Sequence, residues 1–312
     1  MNVEPPLAKF RDPRTTAKGD RRASVGLSAL RTLWFNTGTL CNLTCANCYI
    51  ESSPRNDALA YLSAAEAAVF LDEVRRDAWA VEEIGFTGGE PFMNPDFLPM
   101  VSDALARGCR ALVLTNAMRP MMRHAEALAA LNAAHPGRLT LRVSLDHHTP
   151  ALHDRERGAG TFAVTIRGLE WLARNGFHIN VAGRAAFGHE PEEAMRAGYA
   201  RLFAEHAIPI DAADPVALML FPEMEAGTEV PEITEACWGI LGKSPDSVMC
   251  ASSRMVVKRR GAEAPAVLAC TLLAYDPQFE LGGTLAEANR PVSLNHPHCA
   301  RFCVLGGAAC SR

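Results

Sequence analysis

The sequence lacks the features that mark membrane, secreted and nucleic-acid-binding proteins. No apolar run reaches the ~20 residues that a transmembrane helix needs, and the N-terminal region has no apolar segment of the kind that a secretory signal requires. Its 31 lysines and arginines are outnumbered by 35 aspartates and glutamates, and the net charge of −4 argues against a general nucleic-acid-binding surface. We therefore expect a cytoplasmic protein that contacts no membrane.

Cysteine, by contrast, is abundant. The chain has ten cysteines among its 312 residues. Structural disulfides are rare in the cytoplasm, so this number of cysteines indicates metal ligands together with a few buried thiols. The apolar content of 48% is enough for a large buried core. The composition therefore predicts a folded protein that binds metal through cysteine.

Strand and helix patterns alternate through the first two thirds of the chain. Ser63 and Glu66 are spaced as a capping box for the first helix, and Asp96 is placed to cap the second. Alternation of this kind predicts parallel βα units, arranged either as a partial barrel or as an open doubly wound sheet, with the active site at the carboxyl ends of the strands. The predicted strands cover residues 30–38, 81–87, 111–117, 139–146, 178–187 and 216–221, and the predicted helices cover 63–78, 97–107, 124–134, 161–176 and 192–207.

Three cysteines follow the first predicted strand within eight residues. Cys41, Cys45 and Cys48 have the spacing CxxxCxxC, which lets one loop present three thiolates to three irons of a cubic cluster. The fourth iron then stays open, as a catalytic metal requires. The alternative is a structural zinc site that takes a fourth ligand from elsewhere in the chain. The spacing by itself leaves both interpretations open.

This loop and the segment Gly88–Pro91 (GGEP), which ends the second strand, resemble the two signatures of the radical S-adenosylmethionine (SAM) superfamily. The resemblance covers residues 30–222. It implies an α/β fold, a partial (β/α)6 barrel, with a [4Fe–4S] cluster that binds SAM at its open iron. Such an enzyme receives an electron from a low-potential donor such as ferredoxin or flavodoxin. It then cleaves SAM reductively to a 5′-deoxyadenosyl radical, which abstracts a substrate hydrogen.

The same resemblance implies which residues contact SAM. Gly88, Gly89 and Glu90 correspond to the segment that hydrogen-bonds the SAM amino group. Ser144 and Asp146 alternate on strand four, so both point to one face of it, where the family places polar contacts to the ribose.

Two further polar residues end predicted strands, and one loop position departs from the family. Arg184 is a candidate partner for the SAM carboxylate, although it could equally pair with Glu90 or face solvent. Asn116, at the end of strand three, is a further candidate SAM contact. Asn47 stands where the family often has an aromatic residue or histidine. The stretch from His153 to Phe162 resembles a family loop that shapes the pocket wall.

The last third of the chain carries a second group of cysteines. Two predicted strands around Gly261 form a hairpin, and a four-thiolate site would combine the cysteines that flank it with a later CxxxC pair. This arrangement resembles the SPASM/twitch extensions of radical SAM enzymes and implies an auxiliary iron–sulfur cluster, with structural zinc as the alternative. The proposed ligands are Cys250, Cys270, Cys299 and Cys303, with Cys310 and then Cys237 as substitutes.

We accordingly divide the chain into three parts. Residues 1–29 are an extended, basic, solvated leader, residues 30–222 the SAM core, and residues 223–312 a small cysteine-rich α+β extension. The substrate is either a peptide or a small molecule. The alternatives are an RNA-modifying radical SAM enzyme, which the lack of basic surplus disfavours, and a non-catalytic iron–sulfur or zinc protein, which has no need of the GGEP segment.

Overall fold

The computed structural model describes residues 8–185, 190–222 and 229–307, most of them built around one nine-stranded sheet. Within these ranges, none of the helices has both the length and the apolar character needed to cross a bilayer. The strands are β1 (Ser24–Val25), β2 (Thr32–Asn36), β3 (Glu83–Thr87), β4 (Arg110–Thr115), β5 (Leu139–Ser144), β6 (His178–Arg184), β7 (Leu218–Phe221), β8 (Ser253–Val257), β9 (Ala266–Leu268), β10 (Glu280–Gly282) and β11 (Val292–Ser293). The helices are α1 (Ala64–Arg76), α2 (Phe97–Ala106), α3 (Arg119–Met122), α4 (Ala125–Ala134), α5 (Pro150–Arg157), α6 (Thr161–Arg174), α7 (Glu192–Glu205) and α8 (Cys237–Leu241).

The order of strands distinguishes between the two predicted architectures. Along the sheet the order is β10-β9-β8-β2-β3-β4-β5-β6-β7, and β2 to β7 are all parallel. A doubly wound sheet reverses its strand order at a switch point, whereas these six strands follow chain order without reversal, as in a barrel. The predicted partial (β/α)6 barrel is therefore confirmed.

The start of the first helix agrees with the sequence, and that of the second does not. Ser63 and Glu66 form the predicted capping box of α1. Asp96 occupies the N-cap position of α2, but its carboxylate accepts a hydrogen bond from the amide of Ala64, at the start of α1, at 2.9 Å. Its backbone (φ −92°, ψ 3°) is not in the extended conformation that brings a cap side chain onto its own helix. The prediction that Asp96 caps α2 is therefore wrong.

The C-terminal region continues the same sheet. The predicted hairpin around Gly261 is present as β8 and β9, which pair antiparallel. β8 also pairs in parallel with the first barrel strand, with Thr32 opposite Ser253. The cysteine-rich region is thereby joined to the barrel edge by backbone hydrogen bonds.

The described part of the leader is mostly exposed, but its C-terminal end is anchored to the rest of the protein. Ala23 and Val25 are fully buried, β1 pairs with β11, and Arg22 forms a buried ion pair with Glu232 at 2.5 Å. The alternating small apolar residues of this segment give it one buried face. The end of the leader therefore packs against the C-terminal region, contrary to the expectation of a fully solvated leader, whereas most of residues 8–21 are exposed.

Candidate active site

A cavity of about 570 Å³ opens at the carboxyl ends of β3 to β7. In parallel βα folds, functional groups lie at this end of the strands. Nine of the ten residues that the sequence predicted for the SAM core line it: Cys41, Cys45, Cys48, Gly88, Gly89, Asn116, Ser144, Asp146 and Arg184.

The three loop cysteines form one wall of this cavity. Cys41 is buried, and Cys45 and Cys48 are half-buried. Burial raises the pKa of Cys41 to about 12 and also raises the pKa of Cys45. Both thiols therefore hold their protons unless a cation replaces them, and metal ligation requires the thiolate form. Three cysteines in this environment suit a strongly bound metal group.

The two glycines of GGEP allow β3 to end directly against the cysteine loop. A Cβ on Gly89 would lie 2.2 Å from the Leu40 carbonyl oxygen, and one on Gly88 would lie 2.5 Å from the Gly38 carbonyl oxygen. The amide of Gly89 donates to Gly38 at 2.8 Å. Both glycines line the cavity. They have no room for a side chain because they lie against the backbone that leads into Cys41.

Glu90, the third residue of this segment, lies behind the cavity wall with 2% exposure. Its carboxylate accepts hydrogen bonds from the Thr115 hydroxyl and the Asn116 amide, both at 2.9 Å. Burial raises its pKa to about 7, against the opposing effect of these donors. Glu90 therefore ties the end of β3 to the end of β4, whereas the sequence placed it against SAM.

Two ion pairs involve the predicted charged residues Asp146, which follows β5, and Arg184, which ends β6. Asp146 accepts two hydrogen bonds from the guanidinium of Arg157, at 2.8 and 3.0 Å. Arg184 pairs with Glu156 at 2.5 Å rather than with Glu90 or with solvent. Both arginines and both carboxylates line the cavity. Both carboxylate oxygens of Asp146 therefore already accept hydrogen bonds from Arg157 before a ligand binds.

Asn116 joins β4 to the cysteine loop. Its side-chain amide donates to the Asn42 side chain at 2.9 Å. Ser144, at the end of β5, faces the same cavity. Polar side chains at the ends of the neighbouring strands β4 and β5 thus line the same cavity as the cysteines.

The C-terminal cysteines form a second buried group. Cys250 is buried, and Cys270, Cys299 and Cys303 are half-buried. Burial, with the nearby thiols of Cys270, Cys250 and Cys303, raises the pKa of Cys299 well above its usual value. The four predicted ligands therefore lie near one another.

The two substitute ligands are not part of that group as it is described. The thiol of Cys237 accepts a hydrogen bond from the Thr234 amide at 3.4 Å, at the start of α8. Cys310 lies outside the described residues.

Comparison with known protein families identifies the superfamily of the chain that forms this cavity. The model of the radical SAM superfamily matches residues 35–199, just over half of the chain, from β2 to α7. The chain belongs to the radical SAM superfamily. Members of this family use a [4Fe–4S] cluster and SAM, and the three cysteines beside a cavity of this size fit both groups.

Several curated radical SAM proteins are similar in sequence. Mycofactocin maturase MftC of Mycobacterium ulcerans is 35% identical over 152 residues, which is 49% of this chain and 39% of that protein. The antilisterial bacteriocin subtilosin biosynthesis protein AlbA of Bacillus subtilis is 33% identical over 143 residues, 46% of this chain and 30% of that protein. The matched region thus spans well under half the length of either relative.

Solved structures share the fold over a longer part of the chain. SuiB of Streptococcus suis bound to S-adenosylmethionine has a TM-score of 0.59 at 14% identity, covering 82% of this chain and 63% of SuiB. The structure of native anSMEcpe with bound AdoMet has a TM-score of 0.57 at 15% identity, covering 82% of this chain and 79% of anSMEcpe. The shared fold therefore extends well beyond residues 35–199.

Sequence reasoning missed the roles of several residues of this radical SAM site. The sequence indicates only a wall-forming loop for Glu156 and Arg157, although both lie at the end of α5, the helix after β5, and line the cavity. His298 and Phe302 also line the cavity. The only signal for these two was their position beside Cys299 and Cys303.

One other group of possible ligands lies at the end of β5. Within the described ranges, only His147, His148 and Glu190 bring three metal-binding atoms within 4.8 Å of one another. The Thr149 amide donates to Nδ1 of His147 at 3.0 Å, so the ring proton is on Nε2, which faces Glu190 at 3.2 Å. This tautomer makes the contact a hydrogen bond that holds Glu190 to the end of β5.

Proposed function

We propose that this protein is a radical SAM enzyme that binds a [4Fe–4S] cluster through Cys41, Cys45 and Cys48 and acts on a peptide. One observation carries the proposal: the three thiols, the Gly88–Gly89 strand end and the polar ends of β4 to β6 all line a single cavity. A non-catalytic cluster protein has no need of such a cavity beside its cysteines.

The cavity residues have different roles in the site. When bound, the cluster and SAM supply an electron and an organic radical for hydrogen abstraction. Asn116 and Ser144 offer short polar side chains to the polar groups of SAM. Arg157 and Arg184 offer positive charge, each moderated by a carboxylate partner. The apolar side chains of Phe221 and Phe302, which stack at a centroid distance of 5.5 Å, help to exclude water from the far wall.

We also infer an auxiliary iron–sulfur cluster at Cys250, Cys270, Cys299 and Cys303. The shared burial of the four thiols supports it. Their spacing supports a cluster over a single zinc ion, because zinc at a Zn–S distance of about 2.3 Å holds its sulfurs about 3.8 Å apart. Among the described residues, no three of these thiols lie within 4.8 Å of one another. On this proposal, residues 223–312 form an auxiliary-cluster domain attached to the SAM core at residues 30–222.

The relatives support a peptide as the substrate class. Two are named for maturation of mycofactocin and biosynthesis of the bacteriocin subtilosin, and SuiB has been solved with its precursor peptide SuiA, at a TM-score of 0.57 with this chain. In this chain, Leu272, His298 and Phe302 of the C-terminal region line the same cavity as the cysteine loop. A substrate would reach the site between the two regions. The electron donor would be a low-potential protein such as ferredoxin or flavodoxin.

Removal of the three loop cysteines tests the central assignment. The variant Cys41→Ala/Cys45→Ala/Cys48→Ala should make no 5′-deoxyadenosine from SAM under dithionite, while it keeps the iron bound by the C-terminal cysteines. Cys109→Ala, which removes a half-buried thiol at the start of β4, is the matched control and should cleave SAM normally. If the triple variant still forms 5′-deoxyadenosine, the assignment is wrong.

A second measurement tests the substrate class. A short peptide encoded beside this gene should change in mass when it is incubated with the reconstituted enzyme and SAM, and it should accelerate SAM cleavage. An unchanged mass and an unchanged rate of SAM cleavage would instead favour a small-molecule substrate.

A further inference from the structure

We propose that Glu156 is a positioning residue that clamps the cysteine loop through Asn47. This inference rests on the proposed function, because it concerns how the loop that holds the cluster is kept in place. Glu156 belongs to the last turn of α5, is 5% exposed and lines the cavity. We call this contact the Glu156–Asn47 clamp.

The clamp consists of three hydrogen bonds. The backbone amide of Asn47 donates to Oε1 of Glu156 at 2.8 Å, and the side-chain amide of Asn47 donates to Oε2 at 2.9 Å. The backbone carbonyl of Glu156 also accepts the amide of Ala46 at 2.9 Å. Two successive loop residues are thus fixed to one helical turn, directly before Cys48.

The clamp explains the amino acid at position 47. A short side-chain amide places a second N–H donor beside the backbone N–H of the same residue, so that both reach the two oxygens of one carboxylate. Hydrogen bonds to a charged acceptor are stronger than those between neutral groups. In this chain the side chain of Asn47 is therefore used to fix the loop, where the family often has an aromatic residue or histidine.

The same carboxylate connects the loop to β6 and sets the local charge. Arg184 pairs with the Oε1 atom that also accepts the Asn47 amide. The negative charge of Glu156 thereby compensates the positive charge of Arg184 beside the cysteines. Replacement of this carboxylate by a neutral side chain makes the charge near the cluster one unit more positive, and this change makes electron addition easier. Glu156 therefore also holds the potential of the cluster down.

Exchange of the two side chains tests the clamp. In the metal-free protein, Glu156→Gln should accelerate hydrogen–deuterium exchange in the peptide covering residues 41–49 about tenfold or more, because the charged acceptor is lost. The double variant Asn47→Asp/Glu156→Gln swaps the carboxylate and the amide, so it should restore slow exchange. Glu170→Gln, which changes a half-buried carboxylate paired with His206, should leave the exchange of residues 41–49 unchanged.

The midpoint potential of the cluster provides a second test, because it would not change if Glu156 had only a structural role. In reconstituted protein, the midpoint potential of the SAM-site cluster in Glu156→Gln should shift to a more positive value, and Glu170→Gln should leave it unchanged. If Glu156→Gln exchanges at the rate of the native chain, or if the double variant is no better protected than the single one, the clamp is refuted. Native protein that fails to cleave SAM would reject the proposed function and leave the exchange result standing.

Discussion

Gly89→Ala should prevent iron binding at the cysteine loop without unfolding the protein. The added Cβ would lie 2.2 Å from the Leu40 carbonyl oxygen and 2.7 Å from that of Thr39, and no real Cβ approaches backbone atoms that closely. The backbone before Cys41 must move away, and the hydrogen bond from the Glu90 amide to Leu40 at 3.1 Å is then lost. Overpacking costs about 1–3 kcal/mol and a lost hydrogen bond roughly 1 kcal/mol. A total of about 2–4 kcal/mol lies below the stability of most domains.

Two measurements separate this displacement from general destabilisation. Thermal denaturation of the metal-free protein gives the loss of stability, and iron analysis after anaerobic reconstitution gives the occupancy of the loop. Gly85→Ala is the matched control, because its Cβ would lie 2.3 Å from the buried Trp34 ring, within the sheet and away from the loop. Gly85→Ala should lose comparable stability but bind the full amount of iron. If Gly89→Ala loads iron as the native chain does, the glycine does not control the loop.

Three further predictions concern the remaining groups. Asp146→Ala should keep the native iron content but bind SAM roughly ten- to a hundredfold more weakly in equilibrium titration, since a charge-assisted contact is lost; unchanged affinity would remove Asp146 from the SAM site. Reconstituted native protein should hold about eight irons per chain, Cys250→Ser/Cys270→Ser about four, and Cys109→Ser all of them; stoichiometric zinc in the native protein would contradict the auxiliary cluster. Because the pKa of Glu90 is raised from an unfolded value of 4.5 to about 7, the folded metal-free protein binds the extra proton, so stability should fall by about 3 kcal/mol as pH rises from 4.5 to 7. Denaturant titrations at several pH values should show this fall in the native chain and not in Glu90→Gln, and parallel pH profiles would refute it.

Two carboxylates of the site make contacts that the sequence did not predict. Glu90 was placed against SAM from its motif, yet its carboxylate binds the amide of a residue 26 positions later. Glu156 was assigned no role of its own, yet it holds a residue 109 positions earlier. Carboxylates on neighbouring strands and helices have several donors within reach of their side chains. The choice among them depends on how the elements pack, which no local pattern encodes.

The sequence by itself determined the alternation of strands and helices, the capping box at Ser63 and the cysteine spacing of the loop. These features depend on residues a few positions apart, so local periodicity and steric preference are enough to specify them. Only the tertiary structure decided that the strands follow barrel order, that the end of the leader pairs with β11, and that the C-terminal hairpin continues the sheet beside β2. It also decided which arginine each cavity carboxylate pairs with. Contacts between distant segments are set by the burial of whole faces and the compensation of charges, and these act only once the chain has folded.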